Sequence, residues 1–253
     1  MSVKIMPFIF TFPAFLGYQS SYLLSITAKP KFLIVGQLLF YRLSFCYYRG
    51  LVVNFRRLLV LISIFVSLKT VALPLSDLQT GDVILLDMDC FSCELIENET
   101  GGPFSHSGIV LKLGSQVYVA QSLGSVHHLP LKSFLAYSNK VPHVIRPKHI
   151  NFSKKRKLIE NYKSIFLGMD FDHDYLWDDD KLYCSEFIYK LLKSVYAIEK
   201  FKPAPMTYDK NPKGWQIYFG GKLPPSGKLG LSPNDFFFST GFDGDFKDMG
   251  PLY

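Results

Sequence analysis

The sequence predicts an α+β domain in which an antiparallel sheet packs against one buried helix. Three observations carry this. Between residues 104 and 129, three β-type runs are joined by the two-residue turns Gly114-Ser115 and Gly124-Ser125, the spacing of a meander. Ahead of them, Val83-Ile84-Leu85-Leu86 is a short apolar run without alternation, which reads as a buried strand. Farther on, Phe187, Ile188, Leu191 and Leu192 recur at the period that makes one apolar stripe on a helix.

The first 72 of the 253 residues stand apart from this domain. They hold eight of the 28 Lys and Arg residues and none of the 21 Asp and Glu residues, so the net charge of +7 belongs to them. The rest is near neutral, and no nucleic-acid partner is expected. Asn54-Phe55-Arg56-Arg57, an apolar core at 58–68 and Thr70-Val71-Ala72 follow the order of a secretory signal, with a cut after Ala72. That core is shorter than the roughly 20 residues a spanning helix needs, which favours a cleaved signal over an anchor. An uncleaved anchor at 58–72 and a membrane hairpin from 5–26 and 32–48 are the competing readings. Residues 1–51 read as an over-long gene start, with synthesis beginning near Val52 or Val53. The expected organisation is therefore a doubtful leader at 1–51, a signal peptide or membrane anchor at 52–72, and one domain at 73–253. The expected location is periplasmic or secreted, with membrane attachment through 52–72 as the alternative.

Within the domain, Ser76 through Asp82 is turn chemistry feeding the 83–86 strand. Residues 87–99 are polar and mildly helical until Gly101-Gly102-Pro103 breaks them. The strands of the meander follow at 104–113, 116–121 and 126–129. Pro130 closes the meander, 131–135 makes a short helical turn, and Val144-Ile145-Arg146 returns as a strand. Residues 152–167 read as a surface helix with Leu158, Tyr162, Ile165 and Phe166 turned inward, ended by Gly168. Its Lys154-Lys155-Arg156-Lys157 run reads as a solvated face. An acidic loop at 170–180 leads to the Cys184 helix. Beyond residue 202 Pro and Gly are frequent, and Ser232-Pro233-Asn234-Asp235 has the form of a helix cap and first turn.

The chemistry centres on Cys184, which opens the striped helix. Unpaired N–H groups and the dipole at that end favour a negative charge, so the thiolate is easier to reach than in free cysteine. A thiol nucleophile also needs a base within hydrogen-bond reach. Of the six histidines, His106 is best placed: it opens a strand after a break, and small neighbours at Ser105, Ser107 and Gly108 leave its ring accessible. His127, His128, His143 and His149 flank strand ends. Ser185 and Glu186 read as cap and first-turn residues. The carboxylates at 178–180 count against a lowered thiol pKa. Cys90 and Cys93 form a C-x-x-C with no second such pair, which argues against tetrahedral zinc and leaves a tight disulfide or two free thiols. The acidic loop lacks the ligand spacing of a calcium loop and reads as solvated, with Asp172 and Asp174 shaping the cleft. No metal or cofactor is expected.

Taken together, Thr80-Gly81-Asp82-Val83-Ile84, Ser105-His106-Ser107-Gly108-Ile109-Val110, the stretch 171–178 and Tyr183-Cys184-Ser185-Glu186 resemble the circularly permuted papain-like enzymes of the YaeF/YiiX group. These are relatives of NlpC-type cell-wall peptidases and of lecithin retinol acyltransferase. The motifs come in that family's order, His-strand first and Cys-helix last, over most of residues 76–195. The resemblance implies a permuted papain-like fold, Cys184 as nucleophile and His106 as base. It implies a Glu on the strand after the histidine strand as third member, where this chain has Gln121, an amide that can accept from an imidazole but carries no charge. His127 is the fallback for that role. The implied activity is an exported thiol hydrolase of amide bonds, with peptide stems of peptidoglycan as first substrate. A lipid-acyl hydrolase or acyltransferase is the alternative, and a binding module with a structural Cys184 is the third reading.

Overall fold

Strand β1 (Val83–Leu86) lies in the middle of the sheet and is buried along its whole length, in a computed structural model that describes residues 72–241 and 243–253. The expectations for residues 1–51 and 52–72 fall outside the described residues, apart from Ala72. Helix α1 (Phe91–Thr100) follows, then the meander β2 (His106–Leu113), β3 (Gln116–Leu123) and β4 (Ser125–Pro130). Next come α2 (Leu131–Leu135), β5 (His143–Pro147), α3 (Phe152–Asn161) and α4 (Cys184–Lys193). The remainder holds β6 (Ala204–Pro205), α5 (Pro212–Tyr218), β7 (Leu229–Gly230), α6 (Pro233–Phe238) and β8 (Phe246–Pro251).

Among the described residues six strands form one sheet in the order β4-β3-β2-β1-β5-β8, every neighbouring pair antiparallel. The chain is thus an α+β domain with the meander where the Gly-Ser turns predict it. Alternation of side chains divides the core in two. Val83, Leu85, Ile109, Leu111 and Ala120 pack with the stripe of α4, whose Phe187, Ile188, Leu191 and Leu192 are all fully buried. Ile84, Leu86, Val110 and Val119 pack on the opposite side with Phe134 of α2 and with Leu78 and Leu252. Because β1 has a core on both sides, its sequence is a continuous apolar run.

The two ends of the described domain close on each other. Leu73 and Leu252 form a parallel bridge, and backbone hydrogen bonds join Leu73 N–H to Pro251 O at 2.8 Å and Tyr253 N–H to Leu73 O at 3.1 Å. Asp82, at the turn before β1, is buried and accepts from Arg146 Nε at 2.7 Å and Nη2 at 2.8 Å, a forked pair that fastens β5.

Several expectations are corrected. Ile165 is 55% exposed, because after α3 the chain passes into a π-turn (Tyr162–Phe166) that rotates the stripe, leaving Leu158, Tyr162 and Phe166 inside. Edge strand β8 has no sequence signal, since its Gly250 and Pro251 read as loop. The Pro- and Gly-rich composition around it masks helix α5, although Asn211 before Pro212 is a cap signal: its side chain accepts from Gly214 N–H.

Gly108 sits where a larger residue has no room: a Cβ there would stand 2.4 Å from Val119 Cγ1 and 2.7 Å from the Phe134 ring. Gly108→Ala is therefore expected to destabilise the domain by about 1–3 kcal/mol through overpacking, read as a lower denaturation midpoint at unchanged m-value. An unchanged midpoint would show that α2 is not held against the sheet in this way.

Candidate active site

Cys184 is the first residue of α4, directly after Tyr183, which has extended backbone angles and no side-chain cap. Four hydrogen bonds fix this helix start. Ser122 Oγ on β3 donates to Leu182 O at 2.5 Å, and Leu182 N–H donates to Asp170 O at 3.0 Å. Ser185 Oγ donates to Leu231 O at 2.7 Å, and Tyr183 Oη accepts from Leu231 N–H at 3.1 Å. Ser185 is thus a tether to the segment before α6 and not the cap the sequence suggests.

The opening of β2 is held just as firmly. Fully buried Asn234 in α6 accepts from Phe104 N–H through Oδ1 at 3.0 Å, and its Nδ2 donates to Phe104 O at 2.8 Å and Thr100 Oγ1 at 2.6 Å. Gly102 permits this, since a Cβ there would stand 2.3 Å from Asn234 Oδ1. His106 follows two residues after the clamp. The residue is only 4% exposed, so the small neighbours do not open it to solvent as expected; its ring packs against Phe134 with centroids 5.9 Å apart.

The structure brings Cys184, His106 and Gln121 together. Burial pushes the Cys184 thiol up, but the charge and hydrogen bond of His106, together with hydrogen bonding from Ser107, outweigh it and hold the thiol below its ordinary value. Burial pushes His106 down, but Cys184 and the hydrogen bond of Gln121 leave it above its ordinary value. Both shifts favour a thiolate–imidazolium pair. Gln121 Oε1 lies 2.7 Å from His106 Nε2, and an amide oxygen only accepts, so Nε2 carries the hydrogen and Nδ1 is left for the sulfur. His127 stands one step behind, with Nε2 3.1 Å from Gln121 Nε2. Ser107 Oγ is buried and, apart from its approach to Cys184, has no polar partner among the described residues.

The carboxylates at 178–180 are all solvent-exposed, and Asp179 pairs with Lys190 at 2.8 Å, so the feared rise in the thiol pKa does not arise from them. Glu186 departs most from expectation. It lies in the first turn of α4 but is fully buried; Lys190 Nζ stands 2.8 Å from Oε1, yet neither carboxyl oxygen has a well-aligned hydrogen bond. Burial, against the pull of Lys190, pushes its pKa from 4.5 up to about 8.

A cavity of about 290 Å³ opens onto Cys184 and His106. Its walls are mostly apolar and aromatic, including Met88, Ile96, Phe171, Tyr175, Met206 and Trp215, and among the described residues no Lys or Arg lines it. Cys90 and Cys93 are joined in a disulfide at the start of α1 and form part of the wall. Of its two carboxylates, Glu99 accepts from Thr207, from the backbone of Asp209 and Lys210 and from Trp215, while Asp235 is held in the cap of α6 with Ser232. The aromatic wall was not read from the sequence. Tyr175 has a φ of 50°, uncommon for a non-glycine residue, and stacks on Tyr218 with centroids 5.4 Å apart. Asp172 holds that turn by accepting from the backbone of Asp174 at 2.9 Å and Leu176 at 2.5 Å, so it shapes the cleft wall indirectly, while Asp174 is exposed.

Comparison with known proteins follows the same outline. The family model described as permuted papain-like amidase enzyme, YaeF/YiiX, C92 family, matches residues 77–241. The uncharacterized protein YiiX of Escherichia coli (strain K12) is 29% identical over 122 residues, 47% of this chain and 60% of that protein's length. A crystal structure described as metalloprotein yiiX from Escherichia coli O157:H7 superposes with a TM-score of 0.62 at 23% identity, covering 69% of this chain and 98% of that one. This likeness speaks to the fold, which is the permuted papain-like one.

The Glu186 carboxyl ties stability to pH. Its folded pKa, about 8, lies above the 4.5 of an ordinary glutamate, so the folded state holds the proton more tightly. The stability it contributes is full below pH 4.5, falls as pH rises towards 8, and is flat beyond. Glu186→Gln is expected to unfold like the parent at pH 4 and to be more stable by a few kcal/mol at pH 9, measured by denaturant titration. A stability difference that does not change with pH would overturn this.

Proposed function

The chain belongs to the YaeF/YiiX, C92 family of permuted papain-like amidases and is a cysteine hydrolase, and from that premise we propose that Cys184 is its nucleophile, His106 its base and Gln121 the residue that orients the base. The observation that carries this reading is that Cys184, at the start of α4, and His106, held by Gln121 at 2.7 Å, line the same apolar cavity, and the opposed pKa shifts of the two agree with it. The thiolate attacks the carbonyl carbon, and N–H groups at the start of α4 with the buried Ser107 hydroxyl are the donors at hand for the oxyanion. His106 then gives its Nδ1 proton to the departing nitrogen, leaving a thioester on Cys184. Water, deprotonated by His106, attacks the thioester and releases the acid.

The cavity favours an amide or ester of a long apolar acyl group as substrate. Peptide stems of peptidoglycan are less suited, because their free carboxylates would meet no Lys or Arg among the lining residues. The metal named for the solved neighbour finds no group of three His, Cys, Asp or Glu side chains among the described residues, and no step here runs through one. Export through residues 52–72 to the periplasm or beyond completes the proposal. The Cys90–Cys93 disulfide supports it, since such bonds persist outside reducing compartments.

Two measurements test these points. Fatty-acyl amides, phospholipid vesicles and muramyl peptides are offered to the full-length chain. Release of fatty acid from the first two is expected, with a loss of at least about 10⁴-fold in kcat for Cys184→Ala and for His106→Ala. Turnover of muramyl peptides alone would overturn the substrate class, and activity that survives both substitutions would overturn the mechanism. N-terminal sequencing of the exported protein is expected to begin at Leu73; a chain retaining residues 52–72 in the membrane fraction would replace the signal by an anchor.

A further inference from the structure

A carboxylate accepts hydrogen bonds at both oxygens, but an amide has one accepting and one donating end of almost the same shape. A glutamine beside a catalytic imidazole can therefore hold it in either of two tautomers, and something must decide between them. Gln121 on β3 is the direct cross-strand partner of His127 on β4. Its Oε1 faces His106 Nε2 at 2.7 Å and its Nε2 faces His127 Nε2 at 3.1 Å, while His127 Nδ1 lies 2.9 Å from Ser125 O.

The sense of this chain is fixed from its far end. A backbone carbonyl only accepts, so His127 must carry its hydrogen on Nδ1 and donate it to Ser125. In the neutral ring Nε2 is then a lone pair, which can accept only from the NH₂ end of Gln121. That turns Oε1 towards His106, where it accepts Nε2–H and leaves Nδ1 unprotonated for the proton of Cys184. With the amide reversed, its NH₂ would donate to His106 Nε2, and Nδ1–H would point at the sulfur, where no base would remain.

We propose that His127 is a positioning residue: through Gln121 it sets which nitrogen of His106 carries the proton. This rests on the reading of Cys184 and His106 as the catalytic pair. His127 touches neither the sulfur nor the substrate cavity, and its part is polarity passed along two hydrogen bonds.

The test compares substitutions of different hydrogen-bonding sense in the full-length chain. His127→Gln keeps an acceptor for the Gln121 NH₂ and is expected to stay within about fivefold of the parent kcat, whereas His127→Lys, a donor only, is expected to lower kcat by about 100-fold or more with KM within about threefold. Long-range ¹H–¹⁵N spectra of His106, recorded at pH 9 in a Cys184→Ala background so that the ring is neutral, are expected to show the Nε2–H tautomer with His127 or His127→Gln and the Nδ1–H tautomer with His127→Lys. If lysine is not tolerated in the fold, His127→Leu, which neither donates nor accepts, is expected to give a mixture of the two. An Nε2–H tautomer in every variant, or equal kcat losses for glutamine and lysine, would overturn the proposal. The spectra need no substrate, so they decide the positioning role even if Cys184→Ala proves harmless to turnover and the catalytic reading fails.

Discussion

The stripe on α4 is the constraint from which the site follows. Phe187, Ile188, Leu191 and Leu192 are each fully buried, and burial of such side chains is worth about 1.5–3 kcal/mol apiece. The helix can therefore meet the sheet in one rotation only. That rotation fixes the first turn, and the tethers of Leu182, Tyr183 and Ser185 to β3 and to Leu231 fix its end. From the other side, Asn234 grips the backbone just ahead of His106. The sulfur and the imidazole are thus approached from two independently anchored elements, which is how a buried pair of side chains keeps its geometry.

The electrostatics of the pair follow from its burial. Each charge alone is opposed by desolvation, and each is favoured chiefly by the other, with hydrogen bonds from Gln121 to His106 and from Ser107 to Cys184 adding to it. With a carboxylate in place of Gln121, the three groups together would carry a net negative charge beside an apolar cavity that no Lys or Arg lines among the described residues. An amide keeps the group neutral as a whole, at the cost of a direction that must be supplied from outside. An amide at residue 121 is in this sense matched to its surroundings.

Much of the framework was legible because it rests on local rules. The Gly-Ser turns gave the meander, the unbroken run at 83–86 gave the doubly buried strand, and the 187–192 spacing gave the buried helix. What escaped depends on long-range partners. Edge strand β8 is defined by pairing with β5 and hardly by its own residues. Ser185 and Glu186 obey the local preference for polar residues at a helix start, yet tertiary contacts bury both. Cys184 and His106 could be singled out from helix position and neighbours, but Gln121 came only through resemblance, since nothing in Ala120-Gln121-Ser122 marks a functional amide. The aromatic wall of Tyr175 and Trp215, with Tyr218 stacked on Tyr175, joins segments about 40 residues apart, a distance over which periodicity is silent.

The bridge between Leu73 and Leu252 bears on the permuted order itself. Because the two ends of the domain lie side by side and exchange hydrogen bonds, a short connector could join them while the backbone is opened elsewhere, and no buried contact would change. The order of histidine and cysteine along the chain is then set by where the loop of backbone is cut, whereas their meeting in space is set by the sheet and α4. A fold closed in this way can be rewritten from a different starting residue and still assemble the same thiol and imidazole.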